Sequence, residues 1–414
     1  MLDINFIREN LDLCEEAARN KNREVEWHKL LELDDRRRDL TRKVETLRAE
    51  RNTISQQGAD ADRERAKHIK EDLKKNEEVL RDVEERFHLI MLTVPNVPDA
   101  SVPVGKDASG NKEMKTWGKI PKFNFPARDH IELSKSLDLI DFERGVKVGG
   151  FRSYFLKNEA AQLELALLFY TFQKLVGRGY TPLIAPSLVR EFTLFGNGQF
   201  PWGREDVYHL EKDDVYLAGT AEVPVTAYLS DEVIHETDLP KKFVAFSPCY
   251  RREAGSYGKD TKGVYRLHQF NKIEQVIITT NETNNSLTLH EELLANAEEI
   301  LQDLELPYRV LLMCTGDMGE PQVKKYDVET WMPGRDGYGE TMSNSFMGDF
   351  QARRLKIRYK TKDGKMVFCH TLNNTAIASP RILIAIFENY QQKDGSIKIP
   401  KVLQPLIGKS EIRR

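Results

Sequence analysis

Glycine and proline are nearly missing from the first quarter of this chain. Within residues 1–100 the sole glycine is Gly58, and the prolines, Pro95 and Pro98, come at the end, so almost nothing there interrupts helix. Cysteine is scarce too. The four present, Cys14, Cys249, Cys314 and Cys369, form no CxxC pair, which argues against a disulfide framework or a cysteine-rich zinc site. No run of about 20 apolar residues offers a membrane span, and the opening MLDINFIREN carries charge where a signal peptide needs an apolar stretch. A soluble, cytoplasmic protein with no membrane partner is expected. Charge of one sign is not in excess: 62 Lys and Arg stand against 65 Asp and Glu, so a polyanion must be met by a local basic surface. Neither GxGxxG nor GxxxxGK[ST] occurs, which leaves the dinucleotide fold and the P-loop without support.

At 414 residues the chain exceeds the usual size of one core, and two domains are expected. The glycine-poor part carries apolar residues at steps of three and four: Leu30, Leu33, Leu40, Val44, Leu47 and Ile54, with Arg37 and Arg51 at two seam positions. The pattern resumes as Ala66, Ile69, Leu73, Leu80, Val83, Phe87 and Ile90, interrupted by Asn76. Two such helices, separated by the polar residues 55–62, should fold back as an antiparallel coiled-coil arm, roughly 45 Å long for some 30 residues. Heptads more often serve dimerisation than RNA contact. The cluster Arg36, Arg37, Arg38, Arg42 and Lys43 suits phosphates, yet Asp34, Asp35, Asp39 and Glu45 interleave it, so the pattern alone leaves both readings open.

Residues 95–112 (PNVPDASVPVGKDASGNK) read as a linker, which sets the expected domains at 1–105 and 106–414. Beyond it, residues 163–178 (LELALLFYTFQKLVGR) form an amphipathic helix, and short segments rich in Val, Ile, Tyr and Phe alternate with turns. The fold class is α+β: the helical arm, then an antiparallel β-sheet flanked by helices.

Residues 246–270 (FSPCYRREAGSYGKDTKGVYRLHQF), followed by NKIE, have the layout strand, polar glycine-bearing loop, strand. Arg251 and Glu253 lie two apart, which on an extended strand turns both to one face. A guanidinium forks onto phosphate, a carboxylate accepts from an exocyclic amine such as adenine's, and Phe270 is placed to stack on a base. In residues 371–381 (TLNNTAIASPR) a strand leads into a helix. Ser379 as N-cap and Pro380 at the first helical position would put Arg381 at a helix N-terminus, which favours an anion.

The run REAGSYGKDTKGVYRLHQF resembles motif 2 of class II aminoacyl-tRNA synthetases, in the wording of the seryl-tRNA synthetase family. Residues 220–222 (TAE), 340–354 (ETMSNSFMGDFQARR) and 371–381 resemble that family's serine-binding segment, its ATP-closing segment and motif 3, in order. The helix around Leu163 and the strand ending near Pro186 resemble motif 1, the family's dimer interface. The resemblance spans nearly the whole chain, arm included. It implies a ligase that converts L-serine and ATP to seryl-adenylate and pyrophosphate, then passes serine to the 3′ end of tRNA(Ser), and of tRNA(Sec) as well. It further implies a homodimer whose arm holds the tRNA.

By the same resemblance ATP meets Arg251, Arg252, Glu253, Phe270, Glu340, Thr341, Met342, Ser343 and Arg381, with Mg²⁺ at Glu340 and Ser343. Serine meets Thr220, Ala221, Glu222, Arg251, Glu274, Asn373 and Thr375. Glu274 and Thr375 are the choice for its hydroxyl, Thr220 and Glu222 for its amino end. Arg251, Glu253 and Arg381 carry catalysis by positioning and charge neutralisation, because the serine carboxylate is already ionised and needs no general base. This sequence departs from the family at Met342 and Asn344, where small residues are usual, and at Asn374, where many members have glycine. Two other readings compete: a synthetase-like protein that loads a different carrier, and a scaffold on a dead catalytic domain. The arm argues against the first, and retention of Arg251, Glu253 and Arg381 against the second.

Overall fold

The computed structural model describes residues 1–56, 63–254 and 262–414. The tip of the expected hairpin with Gly58, and residues 255–261 of the glycine-bearing loop, lie outside the described residues. The chain divides into two compact units, Met1–Val97 and Pro98–Arg414.

In the first unit α1 (Ile4–Glu9) and α2 (Leu11–Asn20) precede two long helices, α3 (Trp27–Gln56) and α4 (Arg63–Thr93). The long pair is antiparallel: Arg37 stacks over Phe87 at 5.0 Å, while further along α3 Arg48 reaches back to Glu77 at 2.8 Å. Leu30, Leu33, Val44 and Ile54 of α3, with Ile69, Leu73 and Val83 of α4, form the buried seam. Arg37 is tolerated at a seam position because its guanidinium covers a ring and binds Asp34. Asp34 is fully buried, with Arg8, Arg37 and Arg38 at 2.7, 2.8 and 2.9 Å. Burial alone would raise its pKa, but these guanidiniums hold it below the usual carboxylate value. Arg42 pairs with Asp39 at 2.7 Å. Of the basic cluster, Arg36, Arg42 and Lys43 stand exposed.

The second unit is built on an eight-stranded sheet. Its strands are β1 (Lys112–Trp117), β2 (Thr181–Ile184), β3 (Lys241–Tyr250), β4 (Gln269–Thr279), β5 (Tyr308–Leu312), β6 (Lys324–Met332), β7 (Gly337–Gly348) and β8 (His370–Ala378). The order is β1-β5-β6-β7-β8-β4-β3-β2. Every neighbouring pair is antiparallel except β2 and β3, which run parallel. Helices α5 (Asn158–Val176), α6 (Thr283–Asp303) and α7 (Ser379–Asn389) share one core with the sheet, through Leu163, Leu293, Ile300, Ile377 and Leu383. Among the described residues no helix is long and apolar enough to cross a membrane. All four cysteines are buried and unpaired.

Two β-bulges set which side chains share a face. Between β6 and β7 the register passes from Val328 opposite Met342 to Glu329 opposite Glu340, leaving Thr341 as the extra residue. Glu340 and Ser343, three apart, would face opposite sides of a regular strand; the bulge returns them to one side. Between β4 and β8 Glu274 stands opposite Thr375 and Ile273 opposite Ile377, with Ala376 extra.

The two asparagine departures from the family pattern are absorbed away from that face, while Met342 lines the cavity. Asn344 lies directly opposite Asn374, and both are fully buried. Asn344 Nδ2 donates to the His290 carbonyl of α6 at 2.9 Å, and Asn374 Oδ1 accepts from Gln275 Nε2 at 2.8 Å. Both side chains are thus one step out of phase with Ser343 and Thr375. Asn374 is not among the residues with positive φ, so glycine's freedom is not called on there. Met342 packs in the core at 1% exposure.

Candidate active site

Strand β3 ends at Tyr250, and Arg251 adds one more rung: its N–H donates to the His268 carbonyl at 3.0 Å, and His268 Nδ1 donates back to the Arg251 carbonyl at 2.9 Å. The chain then turns. Glu253 has φ +55°, a left-handed conformation that costs a non-glycine residue about 1 kcal/mol or more. Asp206 holds the turn: its carbonyl accepts the Arg252 N–H, and its Oδ1 the Ala254 N–H, each at 2.8 Å. Strand alternation is therefore not what aims Arg251 and Glu253 together. The turn does so, and both line a cavity of about 560 Å³ with Arg266, Phe270, Lys272, Thr375, Arg381 and residues 340–343.

One end of this cavity is cationic. The Arg251 guanidinium sits 5.3 Å over the Phe270 ring, its Nε donating to the Gly219 carbonyl at 3.3 Å. The Glu253 carboxylate accepts from Arg266 at 2.7 Å, with Arg152 at 3.9 Å. Arg381 stacks on Tyr265 at 4.5 Å and donates to the Tyr265 and Glu340 carbonyls at 3.2 and 2.9 Å. It also faces the Glu340 carboxylate at 3.2 Å. Burial works to raise the Glu340 pKa, but Arg381, Lys325 and Arg251 bring it below its ordinary value.

Ser379 does not cap α7. The N-cap is Ala378, without a side-chain bond; Ser379 is the first helical residue, and its hydroxyl is taken by the Glu164 carboxylate of α5. A buried, charged acceptor outcompetes a cap. Arg381 stays in the first turn. Arg252 is not brought to the cavity: it is exposed, over the Tyr208 ring at 5.6 Å.

The other end is a buried polar node. Lys272 Nζ donates to Glu274 Oε2 at 2.7 Å, to Thr220 Oγ1 at 2.9 Å and to Thr375 Oγ1 at 3.1 Å. Thr375 donates to Glu274 Oε2 at 3.0 Å, and Asn373 Nδ2 to Glu274 Oε1 at 3.3 Å. Asn373 Oδ1 is buried without a hydrogen-bond partner among the described residues. Thr220, Glu274 and Asn373 do not line the cavity themselves; Lys272 and Thr375, which do, connect them to it. Glu222 Oε1 accepts from Asn197 and Gln351, each at 2.8 Å. Burial first, then repulsion from Glu274, pushes the Glu222 carboxyl up to about 7. Ala221, beside it, is buried apolar packing.

Comparison with known proteins agrees with this architecture along the chain. The family model described as the seryl-tRNA synthetase N-terminal domain matches residues 1–98, and the tRNA synthetase class II core domain (G, H, P, S and T) matches residues 207–390. The serine–tRNA ligase of Deinococcus radiodurans is 45% identical over 100% of this chain and 99% of its own. The chain belongs to the seryl-tRNA synthetase family. Among solved structures, the seryl-tRNA synthetase of Pyrococcus horikoshii, complexed with ATP, is 37% identical with a TM-score of 0.91, covering 100% of this chain and 99% of that one. The cytoplasmic serine–tRNA ligase of Naegleria fowleri, in complex with AMP, is 32% identical with a TM-score of 0.89 and the same coverage.

Within this family frame the site contains residues that motif reading passed over. Lys272 was legible, since it shares the β4 face with Phe270 and Glu274 at steps of two. Arg266, on Glu253, lies within the quoted motif but drew no role from spacing. Asn197 and Gln351, which hold Glu222, stand 25 and 129 residues from it and leave no local signal. Asp327, buried, stands opposite Ser343 and 3.1 Å from Lys325. Burial, against the pull of Lys325, raises its carboxyl to about 6.

Proposed function

We propose that this chain activates L-serine with ATP, releasing pyrophosphate, and transfers the seryl group to the 3′ end of tRNA(Ser), with tRNA(Sec) as a second acceptor. One observation carries the reading: a single cavity joins an arginine-lined end, suited to a triphosphate, to a buried carboxylate and hydroxyl node, suited to a small zwitterion with a hydroxyl. Arg251 neutralises the α-phosphate as the serine carboxylate attacks in line, Arg381 takes the γ-phosphate, and Phe270 and Glu253 hold the adenine. Glu253 meets the base with its orientation fixed by Arg266.

Mg²⁺ keeps much of its water and takes one or two protein oxygens beside phosphates. Glu340 and Ser343, with the buried Asp327 carboxyl opposite Ser343, fit that need, and no group of three or more His, Cys, Asp or Glu among the described residues forms a separate metal cage. When bound, the ion would share in neutralising the phosphates.

Alanine and glycine are smaller than serine, so size cannot exclude them. A site built around the hydroxyl leaves its own polar groups unpaired when alanine enters, which supports discrimination of about 10⁴. In the arm, exposed Arg36 and Lys43 serve the tRNA backbone. A homodimer is favoured by the apolar side chains that α5 and the edge strand β2 leave in water: Leu165, Phe169 and Ile184 are 69, 55 and 82% exposed. A cytoplasmic setting accords with four reduced, buried thiols.

The test is ATP–pyrophosphate exchange with serine, threonine, alanine and glycine in turn, followed by charging of tRNA(Ser). Serine-dependent exchange and seryl-tRNA are expected. Exchange without charging would favour transfer to another carrier, and no exchange with any amino acid would favour the scaffold.

A further inference from the structure

We propose that Lys272 is a positioning residue that sets the hydrogen-bond polarity of the serine pocket and, through it, the preference for serine over alanine. The proposal rests on the serine-activation reading above. An ammonium has three protons and no acceptor, and all three are spent on Thr220, Glu274 and Thr375. Lys272 therefore has nothing left to offer a substrate, although it lines the cavity at 5% exposure. What it does is orient its partners.

Thr220 Oγ1 accepts from Lys272 at 2.9 Å and from the Glu222 N–H at 3.2 Å. A hydroxyl has two lone pairs and one proton, so Thr220 can face a ligand only as a donor. Thr375 accepts from Lys272 and donates to Glu274, which leaves it one lone pair and no proton. Glu274 and the unpartnered Asn373 Oδ1 remain as acceptors. The node behind Lys272 and Thr375 thus holds acceptors for the serine ammonium and for its hydroxyl proton, and Thr220 is the hydroxyl in it with a proton still to give, while Arg251 is the cavity's own donor to a substrate oxygen.

Charge follows the same logic. Glu222 and Glu274 against Lys272 leave one net negative charge when both acids are ionised, which matches one ammonium. Without Lys272 each threonine hydroxyl loses one of its two fixed partners, and Glu274 loses its ion-pair partner. Alanine and serine then differ less, because the hydroxyl meets a pocket whose donors and acceptors are no longer fixed.

Lys272→Met and Lys272→Arg test this by serine- and alanine-dependent ATP–pyrophosphate exchange, alongside direct ATP binding by calorimetry. Lys272→Met is expected to raise serine KM roughly 100-fold and to cut the serine-over-alanine ratio roughly 10- to 100-fold, with kcat and ATP affinity moving less than about 3-fold. Lys272→Arg keeps the charge and so secures folding should Lys272→Met fail to fold; its fork cannot reproduce three separate bonds, and an intermediate ratio is expected. A charge-balancing role alone would leave Lys272→Arg like the unsubstituted protein. The proposal is overturned if a variant that binds ATP normally keeps its serine-over-alanine ratio, or if ATP affinity falls in step with serine affinity. Absence of serine-dependent exchange in the unsubstituted protein is a separate outcome that overturns the underlying reading.

Discussion

At one end of the cavity Arg251 and Arg381 are braced by backbone carbonyls, Arg251 with its terminal nitrogens making no bond among the described residues; at the other, every proton of Lys272 is consumed by the protein. Arg251 is poised for charge that arrives with the ligand, whereas Arg381 already faces the Glu340 carboxylate. The lysine end is already neutralised from within and presents a fixed pattern of donors and acceptors instead. Cations in one cavity therefore do two kinds of work: unspent donors bind a polyanion, and a saturated cation orders the groups that read a small neutral feature such as a hydroxyl.

The sharpest way to separate the ends is to remove one member of each. Arg251→Ala should lower the exchange rate about 10³-fold while leaving the serine-over-alanine ratio in place, as expected for a transition-state charge contact. Glu274→Gln should do the reverse. Serine kcat/KM is expected to fall about 100-fold with ATP KM unchanged, and the unfolding temperature should drop because Lys272 is left buried without its counter-charge.

A pH series sharpens the contrast further. Glu222, with its carboxyl near 7, is ionised above that pH and neutral below it. Serine KM should therefore climb as pH falls below about 7, by roughly tenfold per unit at most, with ATP KM nearly flat. The sign for stability is opposite: this raised pKa contributes stability at low pH that is lost as pH rises from about 4.5 through about 7. An unchanged serine KM between pH 6 and 8 would remove Glu222 from the ammonium site.

How much of this the sequence discloses follows from the range of the forces involved. The arm is local: a 3.5-residue pattern and the lack of glycine suffice, and even its odd seam residue Arg37 finds a reason in Phe87. The cavity residues come from a motif whose order survives in the linear chain, so most were named by resemblance. Their aiming was not legible, because it depends on a left-handed turn at Glu253 and on bulges at Thr341 and Ala376 that only strand pairing reveals. The cap at Ser379 failed for a similar reason, since Glu164 is 215 residues away. β8 is buried along its whole length and so shows no alternation to read.

The arm supplies the remaining contrasts. Asp34→Ala should destabilise Met1–Val97 by about 1–2 kcal/mol, since the half-buried Arg8, Arg37 and Arg38 lose their shared acceptor, while tRNA-independent exchange stays within about twofold. Urea melts with separate probes on the two units check this. Arg36→Ala and Lys43→Ala should each raise the KM for tRNA only several-fold and reduce the log–log salt slope of tRNA binding by about one. No change in that slope would return the arm to the dimerisation reading.

The most direct test of the whole account is the amino-acid preference of ATP–pyrophosphate exchange in the unsubstituted protein. The account requires exchange with serine and a rate with alanine lower by about 10³ or more at equal concentration. Comparable rates with serine and alanine, or exchange with neither, would contradict it.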